Sequence, residues 1–343
     1  MQFRKALPQR SFPPGLPRLV LGVATTALLA VGMTPAHAQS TFPSQPVRVV
    51  VPFGPGSATD ISLRRMEPQL SRALGQPLVI ENRAGAVGMI GADVVRRARP
   101  DGHTLLFTAA SHSIQAAMRP KTLPFHPVRD FTPIGRAFTS SGLVAVHPSV
   151  PVRNIKELME YSKSLPKGLS FAAGGFGSSH HLQGEALKVK GANLVRISYV
   201  KIAQGISDVV GGHVPMMIYA TDALAPHVKA GRLRAIAVNS EKRQPELPDV
   251  PTILEQGFKG TGAVGWSGLL APAGLSAAVR SRLYSVLEAA VTDPQVSKAA
   301  SGAGLEEGLM PGEDFRVFLE GDIAMWSEVV RQARLPVDQA PVD

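Results

Sequence analysis

The chain has no cysteine. That excludes disulfides, thiolate metal sites and thiol nucleophiles, and it removes the lipidated residue through which bacterial lipoproteins are anchored. Long apolar runs are nearly as scarce. Leu19 to Val31 is shorter than the ~20 residues a spanning helix needs and is interrupted by Gly22, Thr25 and Thr26. Arg4, Lys5, Arg10 and Arg18 flank it without any acid, and Ala36-His37-Ala38 follows as a small-x-small cleavage signal, so residues 1–38 read as a secretory signal peptide. The mature chain is therefore expected to diffuse freely in a periplasm, with no membrane insertion. Runs of Lys and Arg interleaved with aromatics are also missing, which excludes nucleic acid as a partner. The formal charge of +10 falls to about +6 without the four basic residues of the leader, a mild and scattered field that attracts anions and favours solubility. About 300 residues remain, enough for two domains.

What is present is α/β patterning with one conspicuous loop. Val47, Val49, Val50 and Val51 form an apolar strand pattern that enters Pro52-Phe53-Gly54-Pro55-Gly56-Ser57-Ala58-Thr59-Asp60 and then an amphipathic helix. A Gly/Pro loop ahead of a helix presents backbone N–H groups, which with the helix dipole bind carboxylate or phosphate. The same residues also read as a tight strand-to-helix turn with Thr59 or Asp60 as N-cap.

The device recurs. Leu169–Ala173 reads as a strand leading into Gly174-Gly175-Phe176-Gly177-Ser178-Ser179 and a helix through Leu182, Ala186 and Leu187. Leu63, Met66, Leu70 and Leu74 fall at helical spacing before Gly75 stops the run, and Asn154 with Glu157 makes a capping-box start. Strands are expected at 78–81, 104–108, 194–199, 216–219 and 233–239, and helices at 206–211, 223–229, 277–291 and 311–334. Mainly parallel strands follow from this alternation. The polar, Pro-rich passages 119–133 and 240–251 read as crossovers between lobes, and 336–343 as a loose tail.

Asn82-Arg83 with Gly85, Gly88 and Gly91, Pro100-Asp101-Gly102-His103-Thr104-Leu105-Leu106, Asp130-Phe131-Thr132-Pro133-Ile134, Lys229-Ala230-Gly231-Arg232-Leu233-Arg234-Ala235, Leu247-Pro248-Asp249-Val250-Pro251-Thr252 and Leu270-Ala271-Pro272-Ala273-Gly274 occur in order. In these the chain resembles the substrate-binding proteins of tripartite tricarboxylate transporters, the Bug or TctC-like family, from about residue 42 to 335. The resemblance implies a type II periplasmic-binding-protein fold of two α/β lobes joined by two hinge strands, near 140–146 and 236–240. Lobe 1 would hold 42–141 and 239–335, and lobe 2 would hold 142–238. It also implies capture of a small carboxylate by hinge closure and delivery to membrane permease subunits, or signalling to a sensor kinase, with no enzyme activity, no cofactor and a monomeric protein. The ligand-binding residues it implies are Phe53, Gly54, Pro55, Gly56, Ser57, Ala58, Thr59 and Asp60 in the first loop and Ala173, Gly174, Gly175, Phe176, Gly177, Ser178, Ser179 and His180 in the second. Ser111, Tyr199, Lys201 and Tyr219 complete the set.

The first loop departs from the family's Pro-Phe-Pro-Pro-Gly-Gly-Ser-Thr-Asp, with Gly54, Ser57 and Ala58 as the changed positions. Ser57 in a glycine position predicts local rearrangement, because serine does not take φ > 0 cheaply. Tyr219 stands where an acid is common, which removes a partner for an ammonium group. With Phe176 it favours a non-amino carboxylate of apolar or planar character over aspartate or glutamate. Rival chemistries are weaker. Gly265-Trp266-Ser267-Gly268-Leu269 lacks the final glycine of a nucleophile elbow, and Trp266 reads as packing at the lobe boundary or against the ligand. His180, His181 and Glu185 supply no complete metal ligand set, and capping explains them. Gly85, Gly88 and Gly91 have the wrong spacing for a dinucleotide loop.

Overall fold

The computed structural model describes residues 42–199, 201–240, 242–258, 265–302 and 304–339, so the leader read over 1–38 lies outside the described residues. In chain order the strands are β1 (Val47–Val51), β2 (Leu78–Asn82), β3 (Thr104–Ala109), β4 (Phe131–Ser140), β5 (Gly142–Val146), β6 (Leu169–Ala173), β7 (Leu194–Ser198), β8 (Met216–Ala220), β9 (Arg234–Asn239), β10 (Gly265–Pro272) and β11 (Leu305–Pro311). The helices are α1 (Ala58–Leu74), α2 (Met89–Arg96), α3 (Ser111–Met118), α4 (Ile155–Ser164), α5 (Ser179–Val189), α6 (Ile202–Val210), α7 (Thr221–Lys229), α8 (Ala277–Val291), α9 (Pro294–Ser301) and α10 (Gly312–Gln332).

Two sheets result, ordered β11-β4-β10-β3-β1-β2 and β7-β6-β8-β5-β9. They share a plan. Strand β1 lies between parallel neighbours β2 and β3, with β10 antiparallel beyond β3. Strand β6 likewise lies between parallel β7 and β8, with β5 antiparallel beyond β8. The near-continuous valines of β1 suit a central strand, and Val47, Val49, Val50 and Val51 are all buried. The sheets are mixed, where the sequence predicts mainly parallel strands. In the second sheet β5 runs antiparallel to β8 and β9, and in the first β4 runs antiparallel to both β10 and β11. The sequences of β4, β10 and β11 carry Pro133, Gly135, Gly265, Gly268, Glu306 and Glu307, which break the apolar runs that mark strands.

The expected helix signals work locally. Leu63, Met66, Leu70 and Leu74 of α1 are buried, and Gly75 ends the helix at φ 71°. Asn154 caps α4 by accepting the Glu157 N–H at 2.8 Å, while the Glu157 carboxylate takes the Arg153 N–H, one residue before the usual capping-box partner. Asp293-Pro294 ends α8 and also starts α9, with Asp293 accepting from the N–H groups of Gln295 and Val296.

The chain passes from one sheet to the other between Ser140 and Gly142 and leaves the second sheet after Asn239. Residues 119–133, expected as a crossover, instead join α3 to β4 on the first sheet's side, closed by the His126 N–H on the Asp130 carboxylate. Helix α10 ties the two halves on one flank. Its Phe315 and Leu319 pack beneath the first sheet with Leu106, Trp266 and Leu270. A turn or two later Trp326, Val329 and Val330 pack with Ile114 and Ala117 of α3 and Leu182 and Ala186 of α5. Burial of each such large side chain contributes about 1.5–3 kcal/mol. Within the expected tail, Asp338 accepts from the N–H groups of Lys121 and Thr122, and the Gln339 carbonyl accepts from Arg119.

Candidate functional site

Both Gly-rich loops leave the carboxyl ends of parallel strands, where α/β sheets bind ligands. The first is capped by Ser57, not by Thr59 or Asp60. Ser57 sits at φ −65°, ψ 156° and its Oγ accepts the Asp60 N–H at 3.3 Å. Its backbone is extended, so no rearrangement follows from the serine; the positive φ falls on Gly56, at 80°. The second loop repeats the geometry. Ser178 caps α5 at φ −70°, ψ 155°, its Oγ accepts the His181 N–H at 3.2 Å, and Gly177 carries φ 77°. In each case the cap's own N–H donates three residues back, Ser57 to Gly54 and Ser178 to Gly175.

These bonds decide which donors are free. The N–H groups of Ala58 and Thr59 on α1, and of Ser179 and His180 on α5, donate to no described residue. Two helix N-termini thus each offer a pair of adjacent donors with a favourable dipole. A cavity of about 100 Å³ opens at the first, lined by Ala58, Thr59, Ser62, Ala109, Thr139, Ser140, Trp266 and Ser267 among others. Ser267 is 7% exposed and its Oγ has no hydrogen-bond partner. A buried hydroxyl left without a partner costs about 1–3 kcal/mol, which a bound anion would recover. The elbow reading of the sequence passes over Ser267 as an unpartnered hydroxyl on a cavity wall.

The crossing between the two sheets links this cavity to the second loop. Ser140 on its wall is two residues from Gly142, which is paired with Ala220, and Leu143 is paired with Tyr219. The Tyr219 ring lies against His180 with centroids 4.5 Å apart. Gln115 Nε2 of α3 lies 3.9 Å from where a Cβ on Gly177 would be. Burial pushes the His180 pKa down to about 4, so this ring is neutral near pH 7. Burial, then the charge of Asp222, pushes the Tyr219 hydroxyl upward.

The other expected site residues have the following places in the fold. Asp60 is 1% exposed and its carboxylate accepts from Gly56 N–H, Arg64 and Asn82. Burial raises its pKa, but these hydrogen bonds and the Arg64 charge outweigh it and hold the carboxyl below its ordinary value. The acid fastens the loop. Phe53 packs on the first core and its carbonyl accepts from Asn82. Gly54 and Gly175 supply the carbonyls that close the turns, and Pro55 is exposed. Ala173 is buried with its carbonyl bound to the Tyr199 N–H, and the Gly174 carbonyl accepts from Arg196. Phe176 packs against the α3–α5–α10 cluster, His181 and Arg196. The Tyr199 hydroxyl donates to Asp208 at 2.7 Å, which pushes its pKa up to about 12. Ser111 Oγ is buried without a partner in a separate small recess beside Gly88 and Gln115. Lys201 is exposed at the start of α6. Trp266 is 3% exposed, donates to Asp322 and touches Phe315 and Phe318 inside the first half of the fold.

No group of three or more His, Cys, Asp or Glu side chains fit to hold a metal occurs among the described residues. His181 Nδ1 accepts the Gly177 N–H at 3.0 Å, so its proton sits on Nε2, 3.5 Å from Glu185 Oε1. Among the described residues no helix is long and apolar enough to cross a membrane. A larger open groove of about 810 Å³ lies between α3, the 119–129 segment and α10, and none of the expected site residues lines it.

Two mixed sheets, each with a helix N-terminus offering free N–H donors at its strand ends, define a two-lobed periplasmic binding protein, and solved structures agree. The chain is similar to the periplasmic binding protein BugD, with 33% identity, TM-score 0.69 and coverage of 86% of this chain and 99% of that one. It is similar to an R. palustris protein solved with adipate, with 29% identity, TM-score 0.71 and 85% and 98% coverage. MatC of Rhodopseudomonas palustris, solved with bound malate, is 28% identical with TM-score 0.68 and 84% and 100% coverage. Residues 62–335 match the family described as the tripartite tricarboxylate transporter family receptor, TctC, and the chain belongs to that family of solute-binding receptors.

Proposed function

We propose that this receptor captures a small carboxylate lacking an ammonium group, closing lobe 1 (42–141 and 239–335) and lobe 2 (142–238) over it, and passes it to the membrane subunits of a tripartite tricarboxylate transporter. The observation that carries this reading is the pair of helix N-termini with unspent N–H donors, joined at the first by the unpartnered Ser267 hydroxyl. A carboxylate satisfies those donors without a dedicated cation. Adipate and malate in two related structures support the same ligand class. The His180–Tyr219 ring pair supplies planar apolar surface, the role expected of Tyr219, while Phe176 is engaged elsewhere. Asp222, the acid whose charge reaches Tyr219, already accepts from the Ala223 N–H and sits in the field of Arg65, which leaves it a poor partner for an ammonium. Lys201 is the side chain proposed for a second carboxylate. Closure is driven only by the ligand's differential affinity for the closed form, which is the form a membrane partner reads.

A thermal-shift screen of mono- and dicarboxylates against residues 39–343, followed by calorimetry on the hits, tests this. Stabilisation by malate, adipate or an aryl acid, with little by aspartate or glutamate, is the expected result. Tight aspartate binding with no response to the others refutes the ligand class.

A further inference from the structure

Each loop is fastened by one bond at the same position, made in the two loops from chemically different groups. In the first, the Gly56 N–H donates to Asp60 Oδ2 at 2.9 Å, and Asp60 pairs with Arg64 four residues on. In the second, the Gly177 N–H donates to His181 Nδ1 at 3.0 Å, and His181 faces Glu185 four residues on at 3.5 Å. Both acceptors are bonded to Cγ at the same helix position, the third residue after the capping serine, so they have the same reach. One fastener is an anion backed by a cation. Its counterpart is a neutral imidazole backed by an anion.

We propose that His181 is a positioning residue that holds the α5 end in its ligand-ready form only while Nδ1 is unprotonated, so that capture is acid-sensitive through the second loop and not through the first. This rests on the function proposed above. Imidazole is the side chain that gains a proton in the mildly acidic range. A proton on Nδ1 turns the acceptor into a donor aimed at another donor, the Gly177 N–H. The two separate, and the adjacent Ser179 and His180 N–H groups lose their alignment. Asp60 is held below the ordinary carboxylate range and stays an acceptor throughout.

The surrounding charges do not reverse this sign. Glu185, 4% exposed and bound by Lys188, faces Nε2 and accepts from it in both states, so it balances the added charge on that side only. Arg196 of β7 is bound to the Gly174 carbonyl and lies over Phe176. His180 lies against Tyr219. On α3 and α10, which pack on α5, Arg119 is bound to Gln115 and Asp322 to Trp266.

Calorimetry with malate and adipate at about pH 7.5 and about pH 5.5 tests the proposal, because protonation of the ligand itself is common to every variant and cancels in the comparison. Wild-type affinity should fall about threefold to tenfold more on acidification than that of H181D/E185R, which rebuilds the first loop's fastener; the factor is that of one lost hydrogen bond. H181D alone, with two facing carboxylates, should bind poorly, and E185R should rescue it. The reciprocal D60H/R64E should import extra acid sensitivity into the first loop, and it decides the matter if H181D/E185R does not fold. Equal pH slopes in wild type and H181D/E185R, or in wild type and D60H/R64E, overturn the proposal. Nitrogen NMR of histidine-labelled wild type without ligand reads the fastener directly. An unprotonated His181 Nδ1 and a protected Gly177 amide at pH 7.5, both lost at pH 5.5, support it, and a protonated Nδ1 at pH 7.5 refutes it. If wild type binds neither acid, the functional reading fails while this NMR result still decides the role of His181.

Discussion

Replacing Ala58 by proline removes one N–H from the end of α1 and almost nothing else. Ala58 is the first helical residue and is exposed, and that position tolerates proline because its N–H has no intrahelical partner. Ser57 before it, at φ −65° and ψ 156°, already has the extended backbone that a following proline demands. The fold should therefore stand, with stability unchanged or raised by about 0.4–1 kcal/mol through a stiffer unfolded chain. Ligand binding should not stand. A hydrogen bond to a charged acceptor contributes about 1.5–3 kcal/mol, so the loss predicts a weakening of roughly tenfold to a hundredfold in Kd. A58V is the steric control, since it adds bulk and keeps the donor, and it should retain most of the affinity. The assay is calorimetry with malate and adipate alongside thermal unfolding. An A58P protein that folds and binds as tightly as wild type refutes the claim that main-chain donors of α1 hold the carboxylate.

Three further outcomes follow from the same geometry. S267A should leave the unliganded protein as stable or up to about 1 kcal/mol more stable, because it removes an unpartnered buried hydroxyl, while weakening the ligand severalfold; unfolding and titration check both halves. Asp60 has a folded pKa below its unfolded value, so its contribution is present above the unfolded value and is lost as pH falls through the folded one; D60N should cost about 1.5–3 kcal/mol near neutrality and progressively less as pH falls through that range, measured by denaturant unfolding at several pH values. G184A places a methyl 2.2 Å from the Phe171 ring in the core of the second half, and should lower stability by about 1–3 kcal/mol without touching the first loop, as thermal unfolding will show.

Local signals carried much of the fold and the two Gly-rich loops. The spacing of Leu63, Met66, Leu70 and Leu74 with Gly75 after them, and the Gly-Pro-Gly turn after an unbroken valine strand, each depend on neighbours within a few residues. What sequence reading misses depends on distant partners. Strand β10 is inserted between β3 and β4, with Ser267 paired to Ala109 and Phe138, and only that insertion places its hydroxyl in the cavity. The cap is misplaced because Ser57, Thr59 and Asp60 are all good caps, and the backbone angles alone decide among them. Nothing local in the sequence shows that the Tyr199 hydroxyl is bonded to Asp208 or that Phe176 packs on the α3–α5–α10 cluster. The shared spacing Gly-x-Gly-Ser followed three residues later by Asp60 or His181 is present in the sequence, and it is the signal that reveals the matched fasteners.

A crystal structure of the chain grown with malate or adipate puts the central claim to its most direct test. The account predicts a carboxylate within hydrogen-bond distance of the Ala58 and Thr59 N–H groups and Ser267 Oγ, with the Ser179 and His180 N–H groups closing on the ligand from the other lobe. A ligand seated instead in the groove lined by Phe125 and Ile323, with both helix ends unoccupied, would contradict it.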